Sequence, residues 1–179
     1  MPIIEEHSLI NGVYLVHLTS HTDQRGQFTE IFRKEWFPQR SWKKLQSNRS
    51  VSEAGVLRGL HYHHQQVDYW HVLEGTLRAG LVDLRQSSST QGNAHIIQIK
   101  DSDDLGLYIP PGVAHGFFGL TRVTLLYFVD NYYDGSDEYG VAWDDPEIGL
   151  EWGIESPNLS NRDRRNPRYA AIPLIDRPS

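Results

Sequence analysis

No long stretch of this chain carries a 3.6-residue apolar period, and that absence constrains the fold more than any other feature. Short runs rich in β-branched and aromatic residues recur instead, each ended by Gly, Pro or Asp. Such runs bury their apolar side only by pairing into sheets, so the pattern points to an all-β sandwich or barrel. No repeat, linker or low-complexity tract divides it, and 1–179 reads as a single domain.

Predicted strands cover 13–18, 27–32, 55–61, 94–99, 105–109 and 123–131. Residues 69–85 read as a hairpin, because two β-rich runs flank Glu74-Gly75 and glycine supplies the positive φ of a tight turn. Asp23 to Gly26 reads as a turn, and Pro110-Pro111-Gly112 must stop the strand before it. A short helix is expected within 36–45, interrupted near its start by Phe37-Pro38. The tail after Pro157 reads as irregular, with one helical turn near Ser160.

Composition narrows the function classes. Apolar residues make up 39% of the chain, with five Trp, nine Tyr and six Phe, enough to offset the entropy of ordering. There is no cysteine, which excludes disulfides, thiolate nucleophiles and iron–sulfur clusters. The start, Met-Pro-Ile-Ile-Glu-Glu-His, lacks the basic segment and apolar run of a secretory signal, and no 18-residue apolar run exists to span a membrane. The expectation is a soluble cytoplasmic protein. A net charge of −6 argues against a broad nucleic-acid surface. A few local arginines could still hold one small diphosphate.

Histidine placement is the first chemical clue. His61, His63 and His64 lie close together, and His115 follows the Pro-Pro-Gly turn. Residues two apart on a strand share a face, so His61 and His63 can enter one cavity. A lone histidine is usually satisfied in the core or solvated. A further imidazole from another strand end favours a site.

Several ordered motifs carry a resemblance. Asp23-Gln24-Arg25-Gly26-Gln27-Phe28-Thr29-Glu30 resembles the D-x-R-G-x-F-x-E motif of dTDP-4-dehydrorhamnose 3,5-epimerases. Gln46-Ser47-Asn48-Arg49-Ser50 is similar to that family's Q-x-N-x-S, and Val56-Leu57-Arg58-Gly59-Leu60-His61-Tyr62 to its V-L-R-G-L-H-[FY]. Ile109-Pro110-Pro111-Gly112-Val113-Ala114-His115-Gly116-Phe117 resembles I-P-x-G-x-A-H-G-F, and Leu159-Ser160-Asn161-Arg162-Asp163 resembles L-S-x-x-D. The likeness runs from about Val13 to Asp163.

The resemblance implies a cupin-type jelly-roll β-barrel with short peripheral helices, a homodimer, and no cofactor. It implies a nucleotide-diphosphate sugar as partner, epimerised at C3 and/or C5 beside a 4-keto group in deoxysugar biosynthesis. Such chemistry needs a base on one face, an acid on the other and a way to hold the enolate oxygen. The resemblance places the base at His61, oriented by Asp163, and the acid at Tyr127. Read from its strand alone, Tyr127 is a core aromatic with a satisfied hydroxyl. Arg25 and Arg58 are implied to contact the diphosphate or sugar, Gln46 and Asn48 the ligand's polar edges, and His115 and Glu138 the substrate. Tyr132 is implied to stack on the nucleobase. For each arginine the plain alternative is a surface ion pair worth about 0–1 kcal/mol.

One position departs from the pattern. The family carries a lysine seven residues before the glycine of the central 69–85 run; counting back from Gly75 gives Asp68. The connection from His61 is also three residues shorter than usual. Either another cation or a changed substrate compensates, or His61, His63, Asp68 and His115 form a divalent-metal site of a metal-dependent cupin enzyme. His61 could not serve as both metal ligand and general base. A third possibility is a sugar-nucleotide-binding cupin that has lost catalysis.

Overall fold

The computed structural model describes residues 1–179 as thirteen strands and five single 3₁₀ turns. The strands are β1 (Ile3–Glu6), β2 (Tyr14–His17), β3 (Ser20–Asp23), β4 (Gly26–Thr29), β5 (Gln46–Ser52), β6 (Leu57–Tyr62), β7 (Asp68–Glu74), β8 (Thr76–Asp83), β9 (Ala94–Lys100), β10 (Leu105–Ile109), β11 (Val113–Gly119), β12 (Val123–Val129) and β13 (Tyr139–Gly140). Six form one sheet in the order β1-β2-β10-β7-β12-β5, and five form another in the order β13-β6-β11-β8-β9. The β3–β4 pair stands apart as a two-stranded ribbon. The two larger sheets face each other as a cupin-type jelly roll; no ladder of hydrogen bonds closes them into one barrel. No helix is long and apolar enough to cross a membrane.

Alternation along the strands explains three separate packed layers. On β7, Trp70 and Val72 join Leu81 of β8, Leu107 of β10, Phe117 of β11 and Leu125 of β12 in the core between the sheets. The next residue along from Leu81, Val82, points the other way. It meets Leu57, Leu60, Ala114, Val141 and Trp152, so the chain after β13 covers the outer face of the five-stranded sheet. Tyr69 likewise turns outward and packs with Val16, Phe37, Trp42 and Tyr108. Both large sheets are therefore buried on two faces over their central strands. Gly80 lets this happen on β8, since a Cβ there would run into the Trp152 ring.

The predicted hairpin is corrected by the topology. Gly75 has the positive φ expected of it, 88°. Yet β7 pairs with β10 and β12, while β8 pairs with β9 and β11. The Glu74-Gly75 turn hands the chain from one sheet to the other rather than folding it back on itself. The physical reason is burial: with apolar residues on both faces, each strand needs neighbours in its own layer.

The helix expected within 36–45 is also absent. A single 3₁₀ turn, Lys34–Trp36, precedes that span. Pro38 disfavours helical backbone at Phe37, which sits at φ −126°, ψ 66°. Phe37 and Trp42 bury against the sheet instead. The tail's first turn forms at Asp163–Arg165, with the Ser160 hydroxyl accepting the Asp163 N–H at 3.0 Å. Five strands escaped prediction: the short β1, β3 and β13, and the longer β5 and β11. β5 is polar enough, Gln-Ser-Asn-Arg-Ser-Val-Ser, to show no apolar period, and is held by pairing with the apolar β12. β11 follows the Pro-Pro-Gly turn, and its small residues Ala114 and Gly116 mask its strand character.

Candidate active site

The two sheets open at one end onto a cleft of about 290 Å³. β5 contributes Ser50, β7 Asp68 and Trp70, and β12 Leu125 and Tyr127. From the opposite sheet, β6 contributes Arg58 and His61, and β11 contributes His115, Gly116 and Phe117. His63, Gln66, Tyr133, Glu138 and Arg162 complete the wall from connecting segments. His61 and His63 do enter one cavity, as their spacing implied.

His61 is held from behind. Its Nε2 lies 2.6 Å from Asp163 Oδ1, and the Asp163 side chain is only 4% exposed. Burial by itself would raise the Asp163 carboxyl, but the His61 hydrogen bond and charge, with help from Ser160 and the Gly59 backbone, hold it below its ordinary value. The carboxylate therefore keeps its charge, fixes the ring's tautomer and stabilises the imidazolium. With Nε2 engaged, Nδ1 is the nitrogen left with no partner in the chain.

Tyr127 faces the same cleft from the other sheet, on a strand that pairs with both β5 and β7. Its hydroxyl makes no hydrogen bond within the protein. Burial, then the nearby charges of Asp68 and Glu138, push the phenol above its ordinary value, while Arg58 opposes them. It is therefore a neutral, proton-bearing group at pH 7.

The remaining expected residues divide. Arg58 borders the cleft and donates to Ser52 Oγ at 2.8 Å. Glu138 borders it and receives Arg162 at 3.0 Å. Gln46 and Asn48 bond to each other at 2.9 Å and line an adjoining hollow of about 260 Å³, which shares Gln66, Tyr127, Tyr133 and Glu138 with the cleft. Arg25 stands elsewhere, on the β3–β4 turn, 90% exposed and paired with Asp23. Tyr132, 56% exposed, does not line the cleft in the single chain; its neighbour Tyr133 does. The residues that sequence reasoning passed over are Ser50, Gln66, Trp70, Tyr133 and Arg162. Ser50 was legible: it sits two and four residues beyond Asn48 and Gln46, on the same strand face. Its buried hydroxyl has no partner in the chain.

Asp68, His63 and His115 form a second group, each side chain 6% exposed. Their ligand atoms all lie within 4.8 Å of one another. His61 is not part of it. Of the four residues that spacing suggested, three come together here, while His61 stands beside them with its Nε2 on Asp163.

A sequence profile of the family described as dTDP-4-dehydrorhamnose 3,5-epimerase matches residues 7–171. The chain belongs to that family. It is accordingly an isomerase, an epimerase of nucleotide-linked deoxysugars. The spore coat polysaccharide biosynthesis protein SpsL of Bacillus subtilis (strain 168) is 37% identical over 156 residues, 82% of this chain and 99% of that protein. The dTDP-4-dehydrorhamnose 3,5-epimerase of Methanothermobacter thermautotrophicus is 32% identical over 174 residues, 89% of this chain and 94% of that one. Among solved structures, the dTDP-6-deoxy-D-glucose-3,5-epimerase RmlC of Legionella pneumophila Philadelphia 1, in complex with dTDP-4-keto-L-rhamnose, superposes with a TM-score of 0.90 at 28% identity, covering 99% of this chain and 98% of that one.

Proposed function

We propose that this chain inverts C3, C5 or both in a dTDP-linked 4-keto-6-deoxyhexose, with His61 as base, Asp163 as its orienting carboxylate and Tyr127 as acid. The observation that carries this reading is the placement of His61 and Tyr127 on opposite sheets across one cleft, with Asp163 behind the imidazole. A carbon beside a ketone is acidic because its carbanion delocalises onto oxygen. His61 Nδ1 takes the proton from one face as the electron pair moves to the 4-oxygen. Tyr127 returns a proton to the other face, which inverts the centre. Water then reloads the phenol and discharges the imidazolium. The unpartnered Ser50 hydroxyl and the Arg58 guanidinium suit a polar, anionic ligand. The dTDP-sugar bound to the Legionella relative supports the same substrate class here.

Asp68 occupies the position at which the family resemblance expects a lysine. A carboxylate repels an enolate, so the charge at this point needs an answer other than the family's ammonium.

A homodimer belongs to this reading. Arg25 cannot act in its own chain's cleft from an exposed turn, and Phe28 on the same ribbon is 71% exposed. An exposed aromatic on a projecting ribbon is suited to cover by a second copy, which would bring Arg25 towards the partner's ligand. Light scattering is expected to give twice the 20.6 kDa chain mass; a monomer would remove this part.

The activity itself is tested in heavy water with dTDP-4-keto-6-deoxyglucose. Deuterium is expected at C3, C5 or both, with product of inverted configuration, and the number of deuterons counts the centres. Absence of uptake at either carbon would overturn the epimerase reading for this substrate.

A further inference from the structure

We propose that His63, Asp68 and His115 bind one divalent transition-metal ion in the wall of the cleft. Three observations converge. Both histidines hold their Nδ1 on a backbone carbonyl, His63 on Asp137 and His115 on Val113, the latter at 2.9 Å. That places the ring proton on Nδ1 and leaves each Nε2 as a bare lone pair. Those two lone pairs face the two oxygens of Asp68, His63 Nε2 at 3.9 Å from Oδ1 and His115 Nε2 at 3.7 Å from Oδ2. Neither distance is a hydrogen bond, and neither contact has a proton to share.

Three acceptors thus converge in a buried place with little to donate between them. The one donor reaching in is the Gln66 amide, 3.0 Å from Asp68 Oδ1 and 3.4 Å from His63 Nε2. The Trp70 indole holds Oδ2 from outside at 3.1 Å. A buried carboxylate faced by two neutral imidazole nitrogens is a costly arrangement that a cation between them relieves.

The donor chemistry fits. Two imidazoles and one carboxylate with open positions toward a cleft form the facial set used by first-row divalent ions. Tetrahedral zinc at its usual bond lengths separates its ligands by about 3.3 Å. The two separations from Asp68, 3.9 and 3.7 Å, need to close by about 0.4–0.6 Å to reach this, and all the ligand atoms already lie within 4.8 Å of one another. The outer partners, Val113, Asp137 and Trp70, are the orienting contacts that such ligands require. The three-residue set does not call on His61, whose Nδ1 is left for proton transfer. If the epimerase reading holds, the ion also supplies the positive charge that Asp68 removes from the enolate's surroundings.

The test is metal binding to the untagged full chain, stripped by chelator and titrated with Zn²⁺ and with Co²⁺. One ion per chain is expected, with visible Co²⁺ absorption. Asp68→Asn preserves shape and His63→Gln retains a polar side chain. Each is expected to weaken binding by more than about 100-fold, with circular dichroism confirming the fold. His61→Ala is expected to bind as the parent does, which separates this set from the four-residue one. Substoichiometric binding by the parent, or parental affinity in both ligand variants, would overturn the site. No substrate enters these measurements, so the outcome is independent of whether the epimerase reading stands.

Discussion

His61→Ala is expected to slow carbon–hydrogen exchange by about 10²–10⁴-fold, the usual contribution of a positioned general base. That corresponds to about 3–5 kcal/mol of barrier. The imidazole lines the cleft with its Nδ1 unpartnered, while its Nε2 is fixed at 2.6 Å by a buried carboxylate. Truncation removes the proton acceptor and leaves no substitute on that side. His115 lies buried with its Nδ1 on the Val113 carbonyl, and burial pushes its ring down to about 4, too weak a base for the task. Asp163→Ala is expected to fall between the parent and His61→Ala, because Asp163 orients and stabilises the base without itself taking the proton. Exchange followed by NMR in heavy water reads both variants. Parental exchange in His61→Ala would sink the assignment of the base, and parental activity in Asp163→Ala would remove the pairing.

The residues explain why some of this was legible before any coordinates. Alternation places His61 and His63 on one side, and the ordered motifs bring Asp163 to His61 across 102 residues of sequence. No local pattern could have done that. Local pattern also failed where a long-range choice decides. Glu74-Gly75 announces a turn, but which layer the next strand joins depends on the burial of both its faces. The polar strand β5 has no apolar period to read, because its apolar partner β12 carries the pairing. Spacing grouped His61 with His63, Asp68 and His115; the fold brings the last three together and sets His61 Nε2 on Asp163, which spacing does not reveal. Arg25 belongs to a matched motif yet lies on an exposed turn paired with Asp23, a placement that motif spacing does not reveal.

Tyr127→Phe is expected to separate exchange from inversion. The phenol is the acid of the second face, so its removal should cut formation of inverted product by about 10²–10⁴-fold. Deuterium should still enter from the His61 face, because proton removal and return there need no phenol. The substitution keeps the ring that packs beside the core, and the hydroxyl makes no hydrogen bond inside the chain. Stability is therefore expected to change by no more than about 0.5 kcal/mol, so the loss is one of chemistry and not of folding. The raised phenol also sets a sign on pH. A neutral phenol is the active form. Because burial and the charges of Asp68 and Glu138 lift it above its ordinary 10.0, the parent should keep its inverting activity up to pH 10 and lose it only as the phenol ionises beyond. Inverted product at the parental rate from Tyr127→Phe would mean that water or another group protonates that face, and the acid would have to be sought among the other cleft residues.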